Sequence, residues 1–542
     1  MGKVWSGHLD REHDVVVLGS GAIALTAALR ARSRGASVAV IEKSPYFGGT
    51  SAVSGGMVWI PGNRHMKALG IDDDREAALR YLDRLTAGRT TRPRLEAVVD
   101  RCDEMLGFVE EAGVKFRALD NFPDYHPEWD GASHGGRSLD PETFDTTPMG
   151  ELAKSLRPDQ RLPFTMLEYE QWRSFARFPW DELRERAARG LVARGLALVA
   201  PLVHACAEGG VTLVAEDAAK RLAYDGDRVT GVVTESGTEV GAREGVVVAT
   251  GGFERSPEMV ANFLTGPVEA TCAPPYNTGD GIAMAAKVGA ALGNMREAWW
   301  HPMSLVPGDE IDGAQTGVLL RLERTGPHSV IVNRAGRRFV NEAHNYNDMT
   351  KAFHLHDPVK YEYANLPAYL IFDRQHLERY GFLEFRAGDP VPSWLTAADS
   401  LGALAEQVGI DGEELERTIE RFNGHARAGR DPDFHRGESE YDGYWGDWSA
   451  PHRTLGPVEQ APYYAIEVVS GVIGTKGGIV TDPDGQALDP FGEPIAGLFA
   501  AGNTTSHPLG PGYAGAGSTL GPGMTMAYLA GGAVVGERAA AA

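Results

Sequence analysis

The sequence predicts an α/β protein in two pieces: a parallel sheet with helices and a small β-meander, and a second, α+β domain inserted into it. Three observations carry this. Strand, glycine turn, helix and strand follow one another at Asp14–Ile41; a strand running into glycines recurs at Val246–Gly252; a third comes only at Ile495–Gly502. Parts of one sheet this far apart require an insertion between the second and the third. It is placed at residues 305–473, between residues 1–304 and 474–542 of the first domain.

Asp14–Leu18 (DVVVL) is apolar after its first residue, as a parallel strand buried on both faces should be. It enters Gly19-Ser20-Gly21-Ala22-Ile23-Ala24 and a helix-like run, and the next strand, Ser37–Ile41, ends at Glu42. This is the Rossmann-type dinucleotide-binding fingerprint in its GxGxxA form. Gly19 permits the tight turn, Gly21 lets backbone approach a pyrophosphate, and the helix N-terminus faces the phosphates. Glu42 is placed to bond a ribose hydroxyl.

The next residues choose the cofactor. A nicotinamide enzyme would continue with an ordinary helix. Here Lys43–Asn63 holds Gly48-Gly49 and Gly55-Gly56, with Thr50, Ser51 and Ser54 among them. Small hydroxyl side chains and exposed backbone suit a diphosphate and the edge of an isoalloxazine ring, so the first piece is expected to be an FAD-binding domain. Val211–Val214 and Arg228–Thr234 read as meander strands, with an Asp225-Gly226 turn before the second. Val246–Thr250 running into Gly251-Gly252 is the second flavin element, and Ile495–Asn503, with Gly502, the third.

The insertion reads as a substrate or capping domain. It holds a strand at Ser329–Asn333, a turn at Arg334–Arg337, and a helix at Ala403–Arg427 with a break at Gly409 and Gly412. Before it, Leu162–Arg189 carries Phe164, Trp172, Phe175, Phe178 and Trp180 beside many charges. This is read as a helical excursion packed on the flavin domain; the sharper alternative is a lid or peripheral membrane contact for a lipophilic substrate. The stretch Ala500–Thr525 is dense in glycine and proline around Tyr513. Such backbone comes close to flat ligands, and the loop is expected to hold flavin and a ketone against each other.

A formal net charge of -22 argues against nucleic acid, whose phosphates need a basic footprint. Cys102, Cys206 and Cys272 are widely spaced, with no zinc-like cluster, and no metal is expected. The first residues lack the apolar core of a signal peptide, and no run reaches a membrane span. The expectation is a cytoplasmic protein, possible membrane association aside, acting as a monomer or small homo-oligomer.

Taken together, GSGAIALTA, FGGTSAVSGGMVWIPGN, FPDYHPE, VVVATGGFE, NTGDGI, NRAGRRFVNEAHNY, GTKGGIVTD and GLFAAGNTTSHPLGPGYAGAG resemble the 3-ketosteroid 1-dehydrogenases, a branch of the fumarate reductase and succinate dehydrogenase flavoprotein superfamily. The resemblance runs from about residue 14 to residue 530. It implies 1,2-desaturation of a 3-oxosteroid, with a quinone or dioxygen as electron acceptor. By motif, Tyr125 of FPDY, Tyr346 of NEAHNY, Tyr513 of YAGAG and Gly517 carry the chemistry. Tyr346 would be the base, assisted by a hydrogen bond from Tyr125 that favours its charged form. Tyr513 and the Gly517 amide would form an oxyanion hole for the ketone. The cofactor set under this resemblance adds Ala22, Lys43, Ala215, Asn277, Gly279, Asp280 and Leu520. No histidine lies within Gly48–Gly56, where covalent-flavin relatives attach the cofactor, so FAD is expected to be non-covalent.

Three alternatives accompany this reading. One is a fumarate-reductase-like enzyme, for which Arg337-Arg338 are the available cations. Another is a flavoprotein of binding or electron transfer only. The third is a related desaturase acting on another ring position or a non-steroidal cyclic ketone. His126 after Tyr125 and His344-Asn345 before Tyr346 depart from the family pattern and are expected to alter the pocket. His301, in WWHPMS, is given no role.

Overall fold

Short runs of valine and isoleucine, buried on both faces, build the middle of a nine-stranded sheet in the computed structural model, which describes residues 2–159, 161–172 and 178–536. Glu12–Leu18 lies at its middle, parallel to Val38–Ile41 on one side and to the second half of Glu239–Val248 on the other. Pro494–Ala500 runs parallel to Val246–Val248, so the third glycine-tipped strand returns beside the first two. All three therefore end at the same edge, where a doubly wound sheet binds its ligand.

One strand assignment changes. The VTLV segment is not in the meander: Thr212–Ala215 pairs parallel with Val38–Ile41 and antiparallel with Lys3–Ser6, inside the main sheet. The meander is Ala219–Tyr224, Val229–Thr234 and the first half of Glu239–Val248. The reason is legible in the burial. All of Thr212–Ala215 is buried, as a parallel strand requires, whereas Ala219–Tyr224 is mostly solvated. The Asp225-Gly226 turn joins Ala219–Tyr224 to Val229–Thr234, with the Asp225 N–H donating to the Arg228 carbonyl at 3.2 Å.

The helices Ala22–Ser33 and Gly521–Ala533 pack on one face of this sheet and on each other. Gly531 permits the approach: a Cβ there would lie 2.4 Å from the Ala27 carbonyl oxygen. The second helix is buried on all sides and so shows no amphipathic stripe.

A seven-stranded sheet forms the second layer, in the order Ala314–Leu319, Ala298–Ile311, Tyr463–Thr475, Ala368–Asp373, Ser329–Asn333, with two short strands on Tyr463–Thr475. The boundaries expected at 304/305 and 473/474 both fall inside strands of this sheet, Ala298–Ile311 and Tyr463–Thr475, which pair with each other. At both expected boundaries the chain continues as strand. The broken helix is two helices, Leu401–Val408 and Gly412–Ala428. Gly409 closes the first in a left-handed conformation, and the Asp411 side chain caps the second.

In the aromatic segment, Phe164, Trp172 and Trp180 surround Phe178 with ring centroids 4.9–5.2 Å from it. Phe175 lies outside the described residues. Among the described residues no helix is long and apolar enough to cross a membrane.

Candidate active site

Four separate segments bring the site together. In the first, Asp124 accepts hydrogen bonds from Trp59 Nε1 and Arg137 Nη1, each at 2.7 Å. The next residue, Tyr125, donates its N–H to the Ala514 carbonyl at 2.9 Å, which ties the FPDY turn to the glycine loop. In the second, Asn345 caps the helix Tyr346–Lys351, so Tyr346 opens a helix of fixed direction. A buried network stands behind it: Arg338 forks to Glu342 at 2.7 Å and to Asp431 at 2.8 Å, and Arg436 reaches Glu342 at 3.1 Å. In the third, the buried Lys476 donates to the Gly512 carbonyl at 2.8 Å and lies 4.1 Å over the Trp299 ring, bracing the residue before Tyr513. The fourth is the strand Ala298–Ile311, which supplies Trp299 and His301.

The three tyrosines meet. The Tyr125 hydroxyl donates to the Tyr346 hydroxyl at 2.6 Å. Tyr513 stacks on Tyr125 at 5.0 Å and meets Tyr346 edge-on at 5.4 Å. Tyr346, Tyr513 and Gly517 line a large cavity, whereas Tyr125 stands behind Tyr346 and does not face it. Thr519 donates to the Tyr513 hydroxyl at 3.2 Å. Gly517 has φ +95°, and a Cβ there would lie 2.6 Å from the Val58 backbone. No hydrogen bond from the Gly517 N–H occurs among the described residues.

Burial pushes all three phenols above their usual range. Within the pair, the donated bond pulls Tyr346 down and pushes Tyr125 further up. The expected help from Tyr125 thus has the right direction, but desolvation outweighs it and the net displacement of Tyr346 is upward.

His301, left without a role by its sequence context, stacks on Tyr346 at 4.4 Å and lines the cavity. Its Nδ1 pairs with the Pro302 carbonyl at 2.8 Å, and its Nε2 has no partner among the described residues. Burial drives its pKa well below normal, so it is a neutral imidazole at physiological pH. The strand that carries it is buried over its whole first half, so no alternation of polar and apolar residues could have singled it out.

The departures beside the tyrosines act as a strut. His126 Nε2 lies 2.9 Å from Asp348, joining the Tyr125 turn to the Tyr346 helix, and its ring stacks on Trp129 at 3.8 Å. Burial disfavours charge on His126, but Asp348 and Glu128 raise its pKa overall. Arg337 and Arg338 stand elsewhere: one is exposed and paired with Glu414, the other is in the buried network with Glu342 and Asp431.

The same cavity continues along the glycine-tipped strand ends. Gly19, Gly21, Glu42 and Lys43 line it, followed by Gly49, Thr50, Ser51, Ser54, Gly55 and Gly56. Thr250, Gly251, Asn277, Asp280, Asn503 and Leu520 complete this part. Its walls are cross-braced. Glu42 accepts from Ser20 Oγ and the Ser44 N–H, both at 2.7 Å; Lys43 donates to Thr278 Oγ1 and Asp280, both at 2.6 Å; Asn277 donates to Thr50 Oγ1 at 2.8 Å. Ala22, Ala215, Gly252, Gly279 and Gly502 do not line the cavity. Ala22 donates its N–H to Ser51 Oγ at 3.1 Å, and Ala215 is buried in its strand opposite Lys3. The three glycines stand where a Cβ would strike Thr475, Met259 or Ile23.

These residues fit FAD. A Cβ at Gly49 would stand 3.6 Å from the Gly21 Cα, filling the cradle between the two glycine turns at a helix N-terminus. Glu42, at the end of the second strand, offers carboxylate oxygens to a ribose.

Fold and cavity together define an FAD-dependent oxidoreductase. The family model described as "FAD binding domain" matches residues 14–520. The chain is 50% identical to 4-oxocyclohexanecarboxylate 2-dehydrogenase of Sinomonas cyclohexanicum, over 97% of this chain and 93% of that one. It is 40% identical to 3-oxosteroid 1-dehydrogenase of Mycolicibacterium smegmatis, over 96% of each. Among solved structures, 3-ketosteroid delta1-dehydrogenase from Sterolibacterium denitrificans, in complex with 1,4-androstadiene-3,17-dione, superposes with a TM-score of 0.91 at 34% identity, over 98% of this chain and 100% of that one. The chain belongs to the 3-ketosteroid 1-dehydrogenase family of FAD-binding flavoproteins, oxidoreductases acting on CH–CH groups.

Proposed function

We propose that the protein desaturates a ring ketone between the carbons α and β to the carbonyl. The observation that carries this is the 2.6 Å bond from Tyr125 to Tyr346, beside a cavity wall that also presents Tyr513 and the Gly517 N–H.

An α C–H becomes acidic only if the developing charge moves onto the carbonyl oxygen. Tyr513 and the Gly517 N–H are the donors available to that oxygen, and pre-aligned donors of this kind stabilise the transition state without reorganising. The Tyr346 oxygen, as phenolate, takes the α proton. Tyr125 holds that oxygen through its donated bond and keeps it directed at the cavity. FAD, when bound, supplies the two-electron acceptor for the hydride leaving the β carbon. The substrate thus loses one proton and one hydride and gains one C=C bond. The packed rings of Trp299 and His301 exclude water from the tyrosines.

The steroid reading is supported by the relative at 40% identity, and a single-ring substrate by the relative at 50%. Both share the ketone chemistry. For the fumarate-reductase reading, Arg337 and Arg338 are not the carboxylate binders, because both are committed to acids of the chain itself. The test is anaerobic mixing of the holoenzyme with androst-4-ene-3,17-dione and, separately, with 4-oxocyclohexanecarboxylate. The expected result is bleaching of the flavin by either, with formation of a 1,4-dienone from the steroid or an enone from the keto acid. Bleaching by neither, with reoxidation of dithionite-reduced enzyme by fumarate, would overturn it.

A further inference from the structure

Four cationic side chains line the cavity: Lys43, Arg157, Arg161 and Arg321. Three are already matched to an acid. Lys43 pairs with Asp280 at 2.6 Å, Arg157 with Asp312, and Arg161 with both oxygens of Asp159 at 2.8 Å. The Arg321 guanidinium has no carboxylate partner among the described residues; it stands 5.8 Å from the centre of the Trp445 ring. Glu323, two residues on, turns its carboxylate to the Arg321 backbone N–H at 2.8 Å instead of to the side chain.

Arg321 stands at the substrate end. It follows the capping-domain strand Ala314–Leu319, and Leu319, Cys272 and Ile473 line the same part of the cavity. It is close enough to Tyr513 and His301 for its charge to hold their pKa values down, against burial at Tyr513 and alongside it at His301. Arg321 is exposed, so its guanidinium keeps its water, and a purely hydrocarbon substrate beside it would offer it no partner. A carboxylate on the ring would replace that water with a charge-assisted, bidentate pair.

From this we infer that Arg321 selects an anionic substrate: a cyclic ketone bearing a carboxylate on the ring, with its carbonyl at Tyr513 and Gly517 and its carboxylate on Arg321. The inference rests on the ring-ketone desaturase reading and narrows it to keto acids. Arg321 is a specificity-determining residue here, and Tyr346 remains the base.

The holoenzyme is assayed with 4-oxocyclohexanecarboxylate and with its methyl ester, which has the same ring and ketone without the charge. The acid is expected to have a KM lower by about 10²-fold, the scale of one charge-assisted pair. Arg321→Gln raises KM for the acid by a similar factor, with kcat changing less than about threefold, because the contact is made equally in ground and transition states. Arg321→Lys recovers part of the loss. Cyclohexanecarboxylate, which has no ketone to oxidise, provides a binding readout through the flavin absorbance, and its affinity should fall in parallel in Arg321→Gln. Equal KM for acid and ester, or equal weakening of both in Arg321→Gln, overturns the inference while the desaturase reading stands. If no ketone reduces the flavin but cyclohexanecarboxylate binds in an Arg321-dependent way, the desaturase reading fails and the carboxylate contact survives.

Discussion

The hydroxyls of Tyr125 and Tyr346, 221 positions apart in sequence, lie 2.6 Å from each other, with Tyr125 donating. One faces the cavity and the other stands behind it. Tyr346 thus presents a phenol to the cavity and has a fixed partner on the side away from it.

The first prediction concerns pH. A base acts in its deprotonated form, and burial raises Tyr346 well above its ordinary value near 10. The rate limited by proton abstraction should therefore climb through the neutral and mildly alkaline range, with no plateau on its alkaline limb below pH ~10. Tyr346→Phe should lose ~10²–10⁴ in kcat/KM, the range of general-base contributions. Tyr125→Phe removes the bond that lowers Tyr346, so its limb moves to higher pH, a shift a merely structural role would not cause. An unchanged profile in Tyr125→Phe would contradict the assignment.

Tyr513→Phe should keep FAD and lose ~10²–10³ in turnover, the cost of one oxyanion donor. Flavin absorbance and steady-state rates separate the two effects. Gly517→Ala should behave differently. A side chain at φ +95° and 2.6 Å from the Val58 backbone strains the fold, so the melting temperature should fall with a loss of about 1–3 kcal/mol. Full activity in Tyr513→Phe would remove it from the mechanism.

FAD should be held without a covalent bond. Acid precipitation of the holoenzyme should leave a colourless pellet and yellow supernatant; a yellow pellet would show attachment. Glu42→Ala should weaken FAD binding by leaving Ser20 Oγ and the Ser44 N–H, now bonded to the carboxylate, without an acceptor. The readout is the flavin retained after gel filtration.

Asp140 should make the stability of the fold depend on pH. Burial pushes this carboxyl up to about 7, although it accepts N–H bonds from Met166 at 2.6 Å and Leu167 at 3.2 Å. Because the folded pKa is raised, the folded state holds the proton more tightly than the unfolded one. The contribution is full below the ordinary carboxylate range and is lost as pH rises through about 7. Asp140→Asn keeps an acceptor for both N–H groups but cannot titrate. Its melting temperature should therefore decline less than the wild type's between pH ~5 and ~8. Parallel curves would rule out the titration.

Much of the cofactor half was legible in the chain. The strand, the Gly19–Ala24 turn, the helix and Glu42 depend on neighbours a few residues apart, and short-range sterics dictate them. The meander was misread because VTLV and a meander strand share a β-branched, apolar composition; only burial on both faces distinguishes them. The boundaries expected at 304/305 and 473/474 fall inside the strands Ala298–Ile311 and Tyr463–Thr475, because pairing between strands so far apart in sequence leaves no mark in composition.

Local patterns in the chain carried the FAD-binding α/β fold with its glycine turns, and family motifs carried the expectation that Tyr125, Tyr346, Tyr513 and Gly517 work together. Only the folded chain shows that the Tyr125 hydroxyl reaches Tyr346, that His301 lies on the Tyr346 ring, and that Arg321 lines the cavity with no acid partner among the described residues. Local patterns record the contacts of adjacent residues. Which charges are paired and which rings meet depends on strands and loops hundreds of residues apart being brought into one register, and no local period encodes that.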